Sequence, residues 1–394
     1  MKATQQQTKA HNRRLILQMI YDQAQISRAD LSRATGLTRT TVSDLVAELL
    51  QEGLVEEIGH APSGGGKPPT LLQILADSRC MIGVDLASHE FHGAVVNLRG
   101  KILHRFSVPV YNPDGEQALE RVYELVDGLL AYCSIPPLGI GIGTPGLVNG
   151  NEGIVRRSVV LDWRDLPLGG LLHSRYKLPV HVANDCQAAA LAEMIFSNTH
   201  KTPNLIVVKI GRGIGSGVVL NGHLHMGDGF GAGEIGHMVV KENGVRCRCG
   251  HFGCLETILS TPFIVKQVQE AQRRSPSPIL ARMINSVDEI DFKLIIQAYS
   301  AEDALVKQVL STAGQFLGIA LANYVSTINI ERIILAGSMA VFSDVLIQSA
   351  RQTICERTLE ALGVGTSIQV SNLGNDIVVL GAAALLMQHE LGLA

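Results

Sequence analysis

Apolar positions in the first fifty residues recur with helical spacing. Leu15, Ile16, Met19 and Ile20 share one stripe, which predicts a helix over residues 13–23 with a single buried face. Ser27 followed three residues later by Asp30 reads as a capping box opening a second, short helix through Ala34, and Gly36 permits a tight turn after it. Thr38 can cap a third helix, in which Val42, Leu45, Val46, Leu49 and Leu50 face inward while Arg39, Thr40, Ser43, Asp44 and Ala47 face outward. Beyond Gly53, 54–58 and 71–75 read as strands around Ser63-Gly64-Gly65-Gly66-Lys67-Pro68-Pro69, a run that no regular element accommodates. Three helices and a hairpin make a winged helix-turn-helix over residues 1–76.

From Cys80 the pattern changes to short apolar strands and Gly-rich turns alternating with helices. Strands are predicted at 81–85, 91–97 and 138–142, with a helix over 117–132 among them. A second round places strands at 205–210, 217–220 and 332–335 and helices at 262–272 and 301–326, and a last helix, 381–391, is predicted to return to the first round. This α/β pattern implies two lobes with a cleft between them within residues 77–394, the first about 77–187 plus 377–394 and the second about 188–376.

Composition narrows the class. The 394 residues are 46% hydrophobic and 18% charged, enough apolar material for two or three cored units and too much for a disordered chain. No 18-residue apolar run and no apolar N-terminal stretch are present, so a soluble, cytoplasmic protein without membrane insertion is expected. Charge is uneven: residues 1–43 hold seven basic side chains against Asp22 and Asp30, on a chain whose net charge is -3. A basic head on an acidic body suits a polyanion partner. Operator DNA is the expected one, with Arg39, Thr40 and Ser43 at the start of the third helix turned toward the major groove and Lys67 on a Gly-rich wing following the backbone. The same pattern would also serve a small protein-docking adaptor, with Lys67 a solvated loop lysine.

Candidate chemistry sits further along. Of seven cysteines, three fall in Cys247-Arg248-Cys249-Gly250-His251-Phe252-Gly253-Cys254-Leu255-Glu256. Three thiolates on a Gly-kinked loop suit a tetrahedral Zn²⁺, with His237 the best fourth ligand. His251 lies inside the loop the cysteines close and would strain it, while His223 and His225 remain open alternatives. Four protein ligands would make the ion structural. Asn184-Asp185 ends the apolar stretch 179–183 and opens an alanine-rich helix, a place where α/β sheets bind ligands and equally where a helix is simply capped. The glycines of 211–217 could cradle phosphate or form a hairpin turn.

Four segments in order, Gly143-Thr144-Pro145-Gly146, Asn184-Asp185, Gly231-Ala232-Gly233-Glu234-Ile235-Gly236-His237 and the cysteine run ending at Glu256, resemble the ROK family of repressors and sugar kinases. The resemblance, from about His11 to Leu391, implies a two-lobed actin-like (ribonuclease H-like) domain. It also implies sugar hydroxyls held by Asn184, Asp185, Glu234, His237 and Glu256, with His237 doubling as zinc ligand. Family kinases carry an Asp-x-Gly-x-Thr loop where this chain has Asp85-Leu86-Ala87-Ser88-His89, and Thr where it has Arg212. The adenosine-side glycines are reduced to Ala336-Gly337-Ser338, and Val160-Leu161-Asp162-Trp163 lacks an Asn before the Trp. Asp185, at the kinases' catalytic-base position, is therefore expected to be vestigial and the chain not to be an enzyme. The expectation is a sugar-responsive repressor, a homodimer or dimer of dimers, that takes a sugar or sugar-phosphate effector. Its rivals are an active sugar kinase with a DNA-binding appendage and a non-catalytic adaptor controlled by a transport protein.

Overall fold

In the computed structural model, which describes residues 5–60, 68–86, 90–111, 115–197 and 202–393, the chain divides into two compact units. One comprises Met1–Ala183 with Val379–Ala394, the other Asn184–Val378. The divisions expected at 187/188 and 376/377 thus shift by a few residues. The helix that Asp185 begins packs on strands of the second unit, which carries Asn184 and Asp185 there with it.

The head comprises α1 (Gln5–Asp22), β1 (Ile26–Ser27), α2 (Arg28–Thr35), α3 (Arg39–Gln51), β2 (Val55–His60) and β3 (Thr70–Ile74), with strand order β1-β3-β2. Local chemistry sets each boundary. The Asp30 N–H donates to Ser27 Oγ at 3.2 Å and the Ser27 N–H to Asp30 Oδ2 at 3.4 Å, closing the capping box of α2. The Thr41 N–H donates to Thr38 Oγ1 at 3.2 Å, opening α3. Val42, Leu45, Val46 and Leu49 are buried, and the outward face is exposed as periodicity predicts. Helix α1 starts well before residue 13, because its first half is polar and exposed and leaves no apolar stripe to read. The head is docked on the rest of its unit. Arg99 Nη1 donates to the Tyr21 carbonyl at 2.6 Å with its guanidinium 4.6 Å over the Tyr21 ring, and Arg79 Nη2 donates to the Glu52 carbonyl at 2.8 Å.

The first unit continues with β4 (Cys80–Asp85), β5 (Glu90–Asn97), β6 (Ile102–Pro109), α4 (Gly115–Leu130) and β7 (Pro137–Thr144). A small sheet of β8 (Leu147–Asn149), β9 (Ile154–Ser158) and β10 (Trp163–Leu166) follows, then α5 (Leu168–Tyr176) and β11 (Val180–Asn184). The main sheet has the order β11-β7-β4-β5-β6, with β7 parallel to β4 and the β4–β5–β6 meander antiparallel. Periodicity does not predict the small sheet, since strands this short carry too few residues to show alternation.

The second unit holds α6 (Asp185–Phe196), β12 (Leu205–Ile210), β13 (Ile214–Leu220), β14 (His223–His225), α7 (Glu256–Leu259), α8 (Thr261–Arg274), α9 (Pro278–Met283), α10 (Phe292–Ser300) and α11 (Ala304–Ile328). It ends with β15 (Arg332–Ala336), α12 (Ser343–Arg357), α13 (Glu360–Gly365) and β16 (Ser367–Val370). Its sheet runs β14-β13-β12-β15-β16. Ile210 pairs with Ile214, so 211–213 is a hairpin turn and the later glycines belong to a strand. Helix α11 is long and apolar enough to cross a membrane, but Leu310, Leu317, Leu321 and Val325 are buried in this unit's core.

The last helix, α14 (Ile377–Leu386), begins before the expected Gly381 and gives way to a π-helical turn, Met387–Leu391. From Val379 onward it belongs to the first unit and lies so close on the main sheet that a Cβ at Gly141 would stand 1.8 Å from the Ala382 carbonyl oxygen. Gly141→Ala should therefore destabilise the protein by about 3 kcal/mol, the upper range for overpacking. Gly170→Ala, on the exposed side of α5 with no atom within 4 Å of the new Cβ, should be neutral or slightly stabilising. Urea denaturation of both variants checks the contrast.

Candidate functional site

Helix α3 presents Arg39, Thr40 and Ser43 to solvent directly after its cap. Other basic side chains of the head are engaged with acids: Lys9 with Glu48 at 2.6 Å, Arg13 with Glu52 at 2.5 Å and Arg28 with Glu57 at 2.8 Å. Among the described residues Arg39 has no carboxylate partner, so this face offers an unpaired guanidinium. Lys67 lies outside the described residues.

The other candidate residues gather in the second unit around β13. Strand β13 meets α6 almost backbone to backbone, since a Cβ at Gly217 would lie 2.3 Å from the Cys186 carbonyl oxygen. The loop carrying Glu234 and His237 lies against the same strand: Gly233 has φ +102, its Cβ would stand 1.9 Å from the Ser216 carbonyl oxygen, and the Ser216 N–H donates to the Gly233 carbonyl at 2.8 Å. All five expected sugar ligands thus belong to one unit, and the division of Asn184 and Asp185 from Glu234, His237 and Glu256 across two lobes does not hold.

Each of the five already has a polar neighbour within 4 Å. Asn184 caps α6, its Oδ1 accepting the N–H groups of Cys186 at 2.8 Å and Gln187 at 3.3 Å. Asp185 is buried, and its Oδ2 receives Lys209 Nζ at 2.7 Å. Glu256 is buried too. Arg248 grips it bidentately, Nε to Oε1 at 2.9 Å and Nη2 to Oε2 at 3.0 Å, while the Ile214 N–H adds a bond to Oε2 at 3.2 Å. Glu234, half-exposed, sits with Oε2 3.8 Å from His237 Nε2. Partial desolvation raises the Glu234 pKa, and the charges of Asp185 and Glu256 raise it further against the opposing pull of His237 and Arg248. Glu234 therefore feels both other carboxylates of the site.

One donor each from His237, Cys247, Cys249 and Cys254 comes within 4.8 Å of all the others, with 3.6 Å between Cys247 Sγ and His237 Nδ1 and between Cys249 Sγ and Cys254 Sγ. Ligands about 2.3 Å from a tetrahedral ion stand roughly 3.8 Å apart, so the donors fit a single metal. The backbone shapes the loop for this: the Cys247 N–H donates to the His251 carbonyl at 2.7 Å and Gly250 takes φ +97. Burial pushes the Cys254 thiol up to about 12, whereas a backbone hydrogen bond at His251 is the main cause that brings Cys249 down to about 6. His251 Nδ1 lies 3.6 Å from Cys249 Sγ, but His237 is the histidine grouped with all three sulfurs.

Two residues of this site lie outside the expectations drawn from the sequence. Arg248 shows there only as a charge between two thiols, and Lys209 carries no motif at all. A lone lysine in the strand Leu-Ile-Val-Val-Lys-Ile is the available signal, because buried lysines are nearly always paired.

Residues 81–389 match the ROK family and residues 10–56 match a winged helix-turn-helix DNA-binding domain. The chain is 31% identical over 384 residues to a xylose repressor of Caldicellulosiruptor bescii, covering 96% of each. It superposes on a ROK family transcriptional regulator, a homologue of the Escherichia coli MLC protein, with a TM-score of 0.85 and 29% identity over 98% of both chains. A ROK family glucokinase of Streptomyces griseus, in complex with glucose and AMPPNP, matches 78% of the chain and 99% of its own with a TM-score of 0.70 and 27% identity.

Removing one member of a buried ion pair strands the other. Lys209→Met should cost about 3 kcal/mol by leaving Asp185 buried and unpaired, and adding Asp185→Asn should restore most of the loss. Denaturation of the two single variants and the double variant measures that coupling.

Proposed function

The chain belongs to the ROK family, and from that premise we propose that it is a sugar-responsive transcriptional repressor, reading an operator with its winged helix-turn-helix and binding its effector in the second unit. The observation that carries this reading is the winged helix-turn-helix over residues 10–56, whose α3 presents Arg39, Thr40 and Ser43 to solvent. Asp185 stands where the family's kinases hold their general base, and one of its oxygens receives the Lys209 ammonium group. That bond takes one of the carboxylate's roughly four lone-pair sites and fixes its orientation, which suits it to accept a bond from a sugar hydroxyl. The repressors among the relatives support the same choice over a sugar kinase with a DNA-binding appendage.

We assign the four-donor cluster to a structural zinc, since three thiolates and one imidazole are soft ligands that together saturate a tetrahedral ion. Bound there, the ion would fix the loop carrying Arg248. His237 would hold one nitrogen toward the metal and the other toward Glu234, linking metal occupancy to the effector site. A symmetric homodimer is the assembly we expect, because half-sites about 34 Å apart along B-DNA require two α3 helices in fixed relation. Effector and operator then compete by linkage: if sugar weakens DNA binding by some factor, DNA weakens sugar binding by the same factor.

Arg39→Ala should reduce operator affinity by about 1–3 kcal/mol while effector binding persists, the cost of losing one bidentate base contact. Glu234→Ala should leave operator affinity intact and abolish the sugar response. Titrating labelled operator at fixed salt, with and without sugar, reads both. Release of DNA from Glu234→Ala at the wild-type sugar concentration would overturn the assignment of the effector site, and sugar phosphorylation in a coupled ATPase assay would overturn the repressor reading. Metal analysis should find one zinc per chain, and Cys249→Ser should lose it together with sugar affinity.

A further inference from the structure

We propose that Cys80 and Cys133 are a redox pair, which a hydroperoxide oxidises to an intramolecular disulfide beside the joint between the DNA-binding head and the rest of the first unit. Neither residue belongs to the four-donor cluster or to the effector site, and both lie in the first unit. The topology places them together. Cys80 opens β4, and its register partner on the parallel strand β7 is Pro137. Cys133 lies in the turn that connects α4 to β7, and Cys80 Sγ stands 3.5 Å from the carbonyl oxygen of Ile135 in the same connection. That turn is fixed in place. The N–H groups of Tyr132 and Cys133 donate to the carbonyls of Leu129 and Leu130 at 3.1 Å, and the Tyr132 ring stacks on His104 of β6 at 3.4 Å. Cys80 is buried in the core of the first unit, and the half-buried Cys133 packs against that core.

The two thiols divide the chemistry between them. A hydrogen bond from the Cys80 thiol holds Cys133 below the usual thiol range, and the same bond, with burial, raises Cys80. Cys133 is therefore the sulfur that ionises first, and the one that solvent reaches. Its thiolate attacks one oxygen of the peroxide, the O–O bond breaks, and hydroxide leaves and takes up a proton as water. Cys133 is then a sulfenic acid. The Cys80 sulfur attacks the Cys133 sulfur, the S–O bond breaks, and the hydroxide departs with the Cys80 proton as a second water. Two thiols are oxidised and one peroxide is reduced, and a dithiol reverses the bond by exchange. The site also adjoins the reading head. Arg79, the neighbour of Cys80, donates Nη2 to the carbonyl of Glu52, the C-cap of α3, at 2.8 Å. A disulfide demands a defined placement of both backbones, so closing it acts on the contact that holds the recognition helix.

Peptide mapping of the full chain under non-reducing conditions, after a stoichiometric pulse of hydrogen peroxide, tests this. A linked peptide containing Cys80 and Cys133 should form and should disappear on adding dithiothreitol. Cys80→Ala should leave Cys133 as a sulfenic acid that dimedone traps, and Cys133→Ser should leave Cys80 unmodified, with thermal midpoints in reducing buffer confirming that both variants fold. Operator titration of the oxidised protein should show affinity lowered by about five-fold or more, the lower end of ordinary coupling between sites, and regained on reduction. Cys133→Ser should keep its operator affinity through the same pulse. Oxidation confined to the exposed Cys249 or Cys355, with Cys80 and Cys133 left as thiols, overturns the proposal. A linked pair with unchanged operator affinity, or an equal loss of affinity in Cys133→Ser, overturns the action of the disulfide on the head.

Discussion

How closely the main chain approaches β13 governs the second unit. Helix α6 meets this strand at Gly217 and the loop bearing Glu234 meets it at Gly233, at separations that exclude even a methyl group. Because backbone atoms are in contact, the spacing between Asp185 at the head of α6 and Glu234 on the loop has little freedom to adjust through side-chain rotamers. A contact of this kind transmits small displacements without absorbing them.

Bringing carboxylates together in this way creates an electrostatic problem, and its solution defines the site. Burial and the charges of Asp185 and Glu256 raise the cost of ionising Glu234, and His237 and Arg248 offset part of it, while Lys209 and Arg248 pair with Asp185 and Glu256. The ion pairs settle what the carboxylates can do. A carboxylate anchored by an ammonium group or a guanidinium fork is fixed in orientation and keeps lone pairs for a further donor. The cysteine loop supports the same end, placing Arg248 between two of its thiols and opposite Glu256.

In the first unit the reading head is held by contacts instead of tethered alone. Besides Arg99 on Tyr21 and Arg79 on Glu52, the side chain of Arg14 in α1 packs on the backbone of Gly392. The π-helical turn just before Gly392 stacks His389 on His181 at 4.2 Å and bonds Glu390 to His181 at 2.8 Å. His181 lies on β11, the strand that ends at Asn184. These contacts link β11 to α1 within the first unit.

Features written in neighbouring residues are legible in the sequence alone. Ser27 with Asp30, Thr38 and the inward face of α3 follow from capping and helical period, and the spacing of Cys247, Cys249 and Cys254 groups three thiols that the structure brings together with His237. Three of the four ROK segments spell out backbone requirements locally in glycines, with Gly146, Gly233 and Gly250 all at positive φ. What lies beyond the reach of sequence are encounters set by strand register and loop path. Lys209 meets Asp185 from 24 residues away, and Arg248 turns back on Glu256 across a kinked loop, neither with a periodic signature. The grouping of Asn184 and Asp185 with the second unit is equally hidden, since which sheet α6 packs on depends on Gly217 and Cys186 meeting in space. Local hydrogen bonding and burial period act over a few residues and so mark the chain directly, whereas ion pairing and unit boundaries arise only when distant segments are brought within a few ångströms.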